Sequence, residues 1–195
     1  MTSLNDSVAF IIVRHPFERL LSAYRDKLQN ALPNSFHHKL GNIIISKYRR
    51  TKNSRSPRWP TFPEFVNYLL NEIHSHHELD MHWTPITNFC TPCQVRFNVI
   101  AKFETLDEDQ KYIIEKANIG HVVAPQWKNS GKGAKTTVDL IDDFYNELSA
   151  EQVRNLYEFF KYDFELFGYS VREFIRSGTS TTKAPSSPKK SHSID

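Results

Sequence analysis

Residues 8 to 27 read VAFIIVRHPFERLLSAYRDK, and this stretch restricts the possible fold more than any other part of the chain. The unbroken apolar run Val8-Ala9-Phe10-Ile11-Ile12-Val13 suits a strand buried on both faces. Beyond Arg14-His15-Pro16, apolar residues at Phe17, Leu20, Leu21, Tyr24 and Leu28 recur at helical spacings and predict one buried stripe of a helix. Pro16 fits the first helical position, where its missing N–H is no loss and its fixed φ is already helical. The strand therefore feeds a helix whose N-terminal N–H groups and positive dipole end are directed at the strand's carboxyl end. Arg14 stands at that mouth, and a helical wheel places Ser22 on the polar face with Glu18, Arg19 and Asp26. A cation, a hydroxyl and a helix N-terminus together suit a phosphate group. The same features also describe an ordinary αβ unit with a solvated polar face, and both readings stand at this point.

The chain has 195 residues, 39% hydrophobic and 24% charged, with 14 Phe and 8 Tyr, which is enough for one folded domain with a sizeable core. Its net charge of +3 gives no argument for nucleic acid as a partner, and is compatible with a local patch that attracts anions. No apolar run is long enough to span a bilayer, and Met1 to Asp6 lacks the basic and apolar regions of a signal peptide.

Leu32-Pro33-Asn34 breaks the first helix, and Leu40 to Tyr48 reads as a short second one. Lys47, Arg49, Arg50, Lys52, Arg55 and Arg58 then crowd into a loop that is either a solvated surface or a contact strip for dispersed sulfates and carboxylates. Thr61, with Glu64 three residues on, caps a helix reaching about His74. His74, His76, His77 and His82 follow with Glu78 and Asp80, but no clean ligand spacing emerges, and no metal site is expected. Val95 to Phe103 reads as a second strand and Leu106 to Ala117 as a helix. The loop Gln126 to Thr137 carries two glycines and three lysines, a composition that can wrap phosphate although the P-loop spacing is absent. Ser149 caps the last main helix. Residues 1–176 form the expected domain and 177–195 a disordered Ser/Thr/Pro/Lys tail. Cys90 and Cys93 are too few for a disulfide framework or a four-cysteine zinc site.

Three segments together carry a resemblance. V-R-x-P-F-E-R-L-x-S-A-Y-R-D-K, from Val13 to Lys27, resembles the 3′-phosphate-binding motif of Golgi carbohydrate sulfotransferases, most like the chondroitin/dermatan 4-O-sulfotransferase branch. His82-Trp83-Thr84-Pro85-Ile86 to Cys90-Thr91-Pro92-Cys93 and Phe97 to Leu106 are similar to further segments of that family. Tyr162-Asp163-Phe164-Glu165-Leu166-Phe167-Gly168-Tyr169 is like its closing motif, with aromatics read most simply as core.

The resemblance implies an α/β, P-loop-NTPase-like sulfotransferase fold, a parallel sheet flanked by helices, incomplete at its N-terminus because no 5′-phosphosulfate loop precedes Val8. It implies 3′-phosphoadenosine 5′-phosphosulfate (PAPS) as donor and a glycosaminoglycan or related glycan as acceptor. The implied setting is the lumenal side of the Golgi membrane, with an anchor in a full-length form only. Arg14 and Ser22 would bind the 3′-phosphate. The position of Lys132, Lys135 and Thr136 matches a late basic family loop, for which nucleotide or acceptor contact and a plain flexible loop remain open. In an oxidising lumen Cys90 and Cys93 would form a structural disulfide, with each other or with upstream cysteines.

Sulfuryl transfer needs a base for the acceptor hydroxyl. His82 is the first candidate, since imidazole titrates near neutrality, and Glu104 the second. His15 occupies a variable position of the motif and is not expected to be the base. Two other classes remain: a non-catalytic glycan- or nucleotide-binding remnant of the family, and a P-loop kinase or other nucleotide-binding enzyme, which the missing glycine-rich lysine loop disfavours.

Overall fold

In the computed structural model the described residues are 7–51, 53, 55–125 and 137–171. The opening apolar run becomes strand β1, Phe10–Val13, which pairs in parallel with β2, Val99–Lys102, in the register Phe10↔Val99 to Val13↔Lys102. The ladder stops at Ala9, where the Asn98 side chain accepts the Ala9 N–H at 2.8 Å in place of a strand partner. Between the strands run α1 (Pro16–Tyr24), α2 (Phe36–Tyr48), α3 (Phe62–His74) and the single turn α4 (Ile86–Phe89). After them come α5 (Leu106–Lys116), α6 (Thr137–Tyr145) and α7 (Ala150–Phe167). Helices with a small parallel sheet are the expected α/β organisation in its coarse form. The short elements α4 and α6 were not anticipated.

The strand is not buried on both faces, as the apolar run predicted. Ile11 and Val13 are buried against Ile86 and Phe167, whereas Phe10 and Ile12 are 46% and 44% exposed. Among the described residues the sheet has two strands. An apolar run alone does not report how many layers flank a strand.

The predicted stripe of α1 is buried in full: Phe17, Leu20, Leu21, Tyr24 and Leu28 pack with Phe65 and Leu69 of α3, Leu156, Phe160 and Phe164 of α7, and Trp83. Each such side chain contributes roughly 1.5–3 kcal/mol of burial. Two tyrosines bring hydroxyls into this core and both are satisfied: Tyr145 donates to the Phe17 carbonyl at 3.0 Å and Tyr24 to that of Pro60 at 2.8 Å.

Helix ends follow the capping chemistry of the sequence. Thr61 with Glu64 and Ser149 with Gln152 form reciprocal capping boxes, and Gly168 closes α7 at φ +67°, where a Cβ would be strained. One cation of the basic loop is structural. The Arg49 guanidinium pairs bidentately with Glu64 at 2.8 and 2.9 Å and donates to the carbonyls of Pro57 and Trp59. It is therefore withdrawn from the contact strip expected there. The proposed tail 177–195 lies outside the described residues.

Candidate functional site

The carboxyl end of β1 and the start of α1 form one wall of a cleft of about 810 Å³. Pro16 opens the helix as expected, and His15 at its N-cap supplies no side-chain cap. Arg14 reaches across the turn, lies 4.4 Å from the centre of the Phe103 ring and pairs with Glu18 one turn on at 3.3 Å. Ser22, two turns into the helix, lines the same cleft. Beyond Tyr24 the helix widens into a π-helical turn, Arg25–Gln29, and this turn adds Asp26 and Lys27 to the wall while Leu28 still points into the core. π-turns inside helices recur at functional sites because they re-aim side chains without ending the helix. The cleft thus gathers three cations, Arg14, Arg19 and Lys27, and a hydroxyl beside a helix start, with Glu18 and Asp26 paired to Arg14 and Lys27, a donor set that a phosphate monoester can engage in place of those carboxylates.

The opposite wall is the loop before α4, and its placement rests on residues that the sequence did not single out. Arg19 of α1 donates to the carbonyls of Thr84 at 2.8 Å and Met81 at 3.1 Å, tying the loop to that helix. Burial lowers the Arg19 pKa, with Asp163 opposing that trend. Asp163, only 1% exposed, accepts from the backbone N–H groups of Ile86 and Thr87 and from the Thr87 hydroxyl, all within 2.8 Å. A buried carboxylate of α7 therefore caps α4 and fixes the segment from below. Trp83, buried at the base of the loop, completes the anchor.

On this loop His82 faces the cleft. Its Nδ1 lies 2.5 Å from Asp80 Oδ1, which also accepts the His82 N–H at 2.9 Å, while Asp80 Oδ2 lies 3.0 Å from His37 Nε2 of α2. Burial raises the Asp80 pKa, but the hydrogen bonds from His82 and His37 outweigh it and hold the carboxyl below its ordinary range. An anionic Asp80 bonded to Nδ1 leaves Nε2 as the ring nitrogen able to take a proton. A second cleft, about 1020 Å³, opens on the other side of the loop and shares Met81, His82 and Phe89 with the first. Its wall carries Phe36, Tyr68, Trp83, His76 and His77. His82 therefore stands where the two clefts meet.

Of the residues expected from the sequence, Arg14, Ser22 and His82 come together in one cleft. Glu104 does not line it: its carboxylate accepts from the His15 N–H at 3.0 Å and the Tyr169 hydroxyl at 2.9 Å, clamping the start of α1 to the segment after α7. His15 belongs to the same clamp, with Nε2 3.1 Å from the Ser170 carbonyl. Cys90 and Cys93 are free thiols, the first partly buried at the cleft and the second exposed, so of the two pairings left open by the resemblance the mutual one is not formed. Lys132, Lys135 and Thr136 lie outside the described residues.

The chain is similar to known proteins over most of its length. The model of the sulfotransferase family matches residues 1–170. Carbohydrate sulfotransferase 11 of Mus musculus is 35% identical over 178 residues, covering 89% of this chain and 50% of that protein. Carbohydrate sulfotransferase 10 of Xenopus laevis is 34% identical over 179 residues, 88% of this chain and 50% of its own. Carbohydrate sulfotransferase 8 of Homo sapiens is 32% identical over 173 residues, 86% of this chain and 40% of its own. The chain thus spans about half the length of the curated relatives it matches. No solved structure matches it.

Proposed function

The chain belongs to the sulfotransferase family, and from that premise we propose that it is a carbohydrate sulfotransferase that moves a sulfuryl group from PAPS to a glycan hydroxyl. The first cleft takes the donor, with Arg14 and Ser22 on its 3′-phosphate and Lys27 adding positive charge. The second cleft, lined by aromatic and imidazole groups, takes the acceptor sugar. The donor class follows from the family, and the glycan class from relatives named carbohydrate sulfotransferases. Within that class the acceptor is GalNAc 4-OH of chondroitin or dermatan, in line with the motif resemblance. The reaction belongs in the Golgi lumen on the same ground; no helix of the described residues is long and apolar enough to cross a membrane. The fold is of the P-loop-NTPase-like sulfotransferase type.

The observation that carries this reading is the position of His82, braced by Asp80, between a phosphate-suited cleft and a second, aromatic one. PAPS supplies the sulfuryl group, and adenosine 3′,5′-bisphosphate leaves. Nε2 of His82 takes the proton of the acceptor hydroxyl as that oxygen bonds to sulfur and the bond from sulfur to the phosphate oxygen breaks. Asp80 fixes the imidazole through Nδ1 and stabilises the positive charge it acquires. Arg14 and Ser22 hold the donor's distant phosphate, so binding energy there orients the reacting bond.

The test is transfer of labelled sulfate from PAPS to desulfated chondroitin, dermatan and heparan, followed by disaccharide analysis. Label on GalNAc O4 supports the assignment. Label elsewhere changes the acceptor, and retention of adenosine bisphosphate without any transfer turns the reading to a non-catalytic binding protein.

A further inference from the structure

We propose that His37, Asp80 and His82 form a binding site for one divalent transition-metal ion of the zinc type. One donor atom from each residue lies within 4.8 Å of the other two. The residues come from different parts of the chain: His37 from the first turn of α2, and Asp80 and His82 from the loop before α4. Both imidazoles direct a ring nitrogen at the same carboxylate, at 3.0 Å and 2.5 Å. Zinc bound by nitrogen and oxygen at 2.0–2.1 Å sets tetrahedral donors roughly 3.3 Å apart, so each imidazole–carboxylate pair opens slightly from 3.0 or 2.5 Å, while the wider donor pairs close from no more than 4.8 Å. Binding replaces the two N–H donors with the cation, and each neutral imidazole then carries its one proton on the other ring nitrogen.

The cluster is also braced before any ion arrives. The His37 ring meets those of His82 and Trp83 edge-on at 5.3 and 6.0 Å, and the His82 N–H fixes the Asp80 carboxylate at 2.9 Å. Asp80 and His82 also line the second cleft, which has room for the water that completes a four-coordinate shell. A scan for ligand spacing within residues 74–83 misses the site because one of its histidines lies 43 residues upstream of Asp80. A consequence follows that, unlike the binding itself, rests on the proposed sulfuryl transfer. An ion on Nδ1 leaves the proton on Nε2, so an occupied site has no free base, and the metal inhibits.

The test is titration of the full 195-residue chain with Zn²⁺ by calorimetry and with Co²⁺ by absorption spectroscopy. Neither readout depends on the enzyme reading. The expected result is one equivalent bound with a four- or five-coordinate Co²⁺ spectrum, weakened at least about tenfold by His37→Ala and by Asp80→Asn. His77→Ala, whose side chain pairs with Glu72 at the surface, leaves it unchanged. Absence of stoichiometric binding, or equal affinity in His37→Ala, overturns the proposal. Each variant is checked for a cooperative thermal transition. Where one does not fold, the wild-type spectrum decides: a hexaaqua-like Co²⁺ spectrum overturns the site, and a low-coordinate one supports it. Loss of transfer activity with metal binding intact sinks the sulfotransferase reading alone.

Discussion

The carboxylate of Asp80 bonds Nδ1 of His82 with one oxygen and Nε2 of His37 with the other. If His82 removes the acceptor proton, His82→Ala lowers the rate of sulfate transfer by about 10²–10⁴-fold while binding of adenosine 3′,5′-bisphosphate stays within about twofold. Asp80→Asn lowers transfer in the same direction, because an amide neither enforces the tautomer nor stabilises the imidazolium. Initial-rate assays at saturating donor, beside equilibrium binding of the bisphosphate, separate the two effects. Arg14, Ser22 and His82 were legible in the sequence because each sits inside a local motif whose chemistry can be named. Asp80, His37 and Arg19 were not assigned roles. His37 and Asp80 meet across 43 residues, and Arg19 reaches a carbonyl 65 residues away that a helical wheel cannot see. Glu104 stood in a motif too, but its position in sequence gave no sign that both oxygens serve a clamp.

Among the elements, α3 and α4 depend on single ionic residues. The Arg49 and Glu64 side chains are 7% and 12% exposed, and their pair joins the capping box of α3 to the loop after α2. Arg49→Ala leaves that carboxylate without its partner and orphans two carbonyls, and is expected to cost about 2–4 kcal/mol by urea unfolding. Asp163→Ala removes three hydrogen bonds from the start of α4 and is expected to cost a similar amount. It also lowers transfer activity, since the His82 loop is seated on that helix. Helix boundaries were legible to within a few residues wherever caps and periodicity agreed, as at Thr61 and Ser149. The burial of β1 was misread because Phe10 and Ile12 are as apolar as Ile11 and Val13, and only the layer count separates them.

At the scale of the whole molecule, the motifs form one interlocked unit. Asp163 of the closing motif caps the segment after His82, Tyr169 of that same motif holds Glu104, and Glu104 holds the start of α1. The sequence presented these as separate resemblances, and packing is what joins them. Two carboxylates in this unit make the fold acid-sensitive. Burial raises Asp80 and Glu64, but hydrogen bonds to the histidines and to Arg49 and Thr61 lower both overall. The folded state therefore binds fewer protons than the unfolded one. Their contribution is fully present above the ordinary carboxylate range, from about pH 5, and is lost as pH falls through the depressed folded values. Thermal melts between about pH 7 and 3 are expected to show a falling Tm in that window, with the change reduced in the Arg49→Ala protein.

If the cleft between α1 and the His82 loop holds the donor's 3′-phosphate, equilibrium binding of adenosine 3′,5′-bisphosphate to the Arg14→Ala protein reveals it. Loss of one charge-assisted contact of about 1.5–3 kcal/mol predicts an affinity lower by about 10–100-fold, with thermal stability little changed. Affinity equal to that of the wild-type protein contradicts the account.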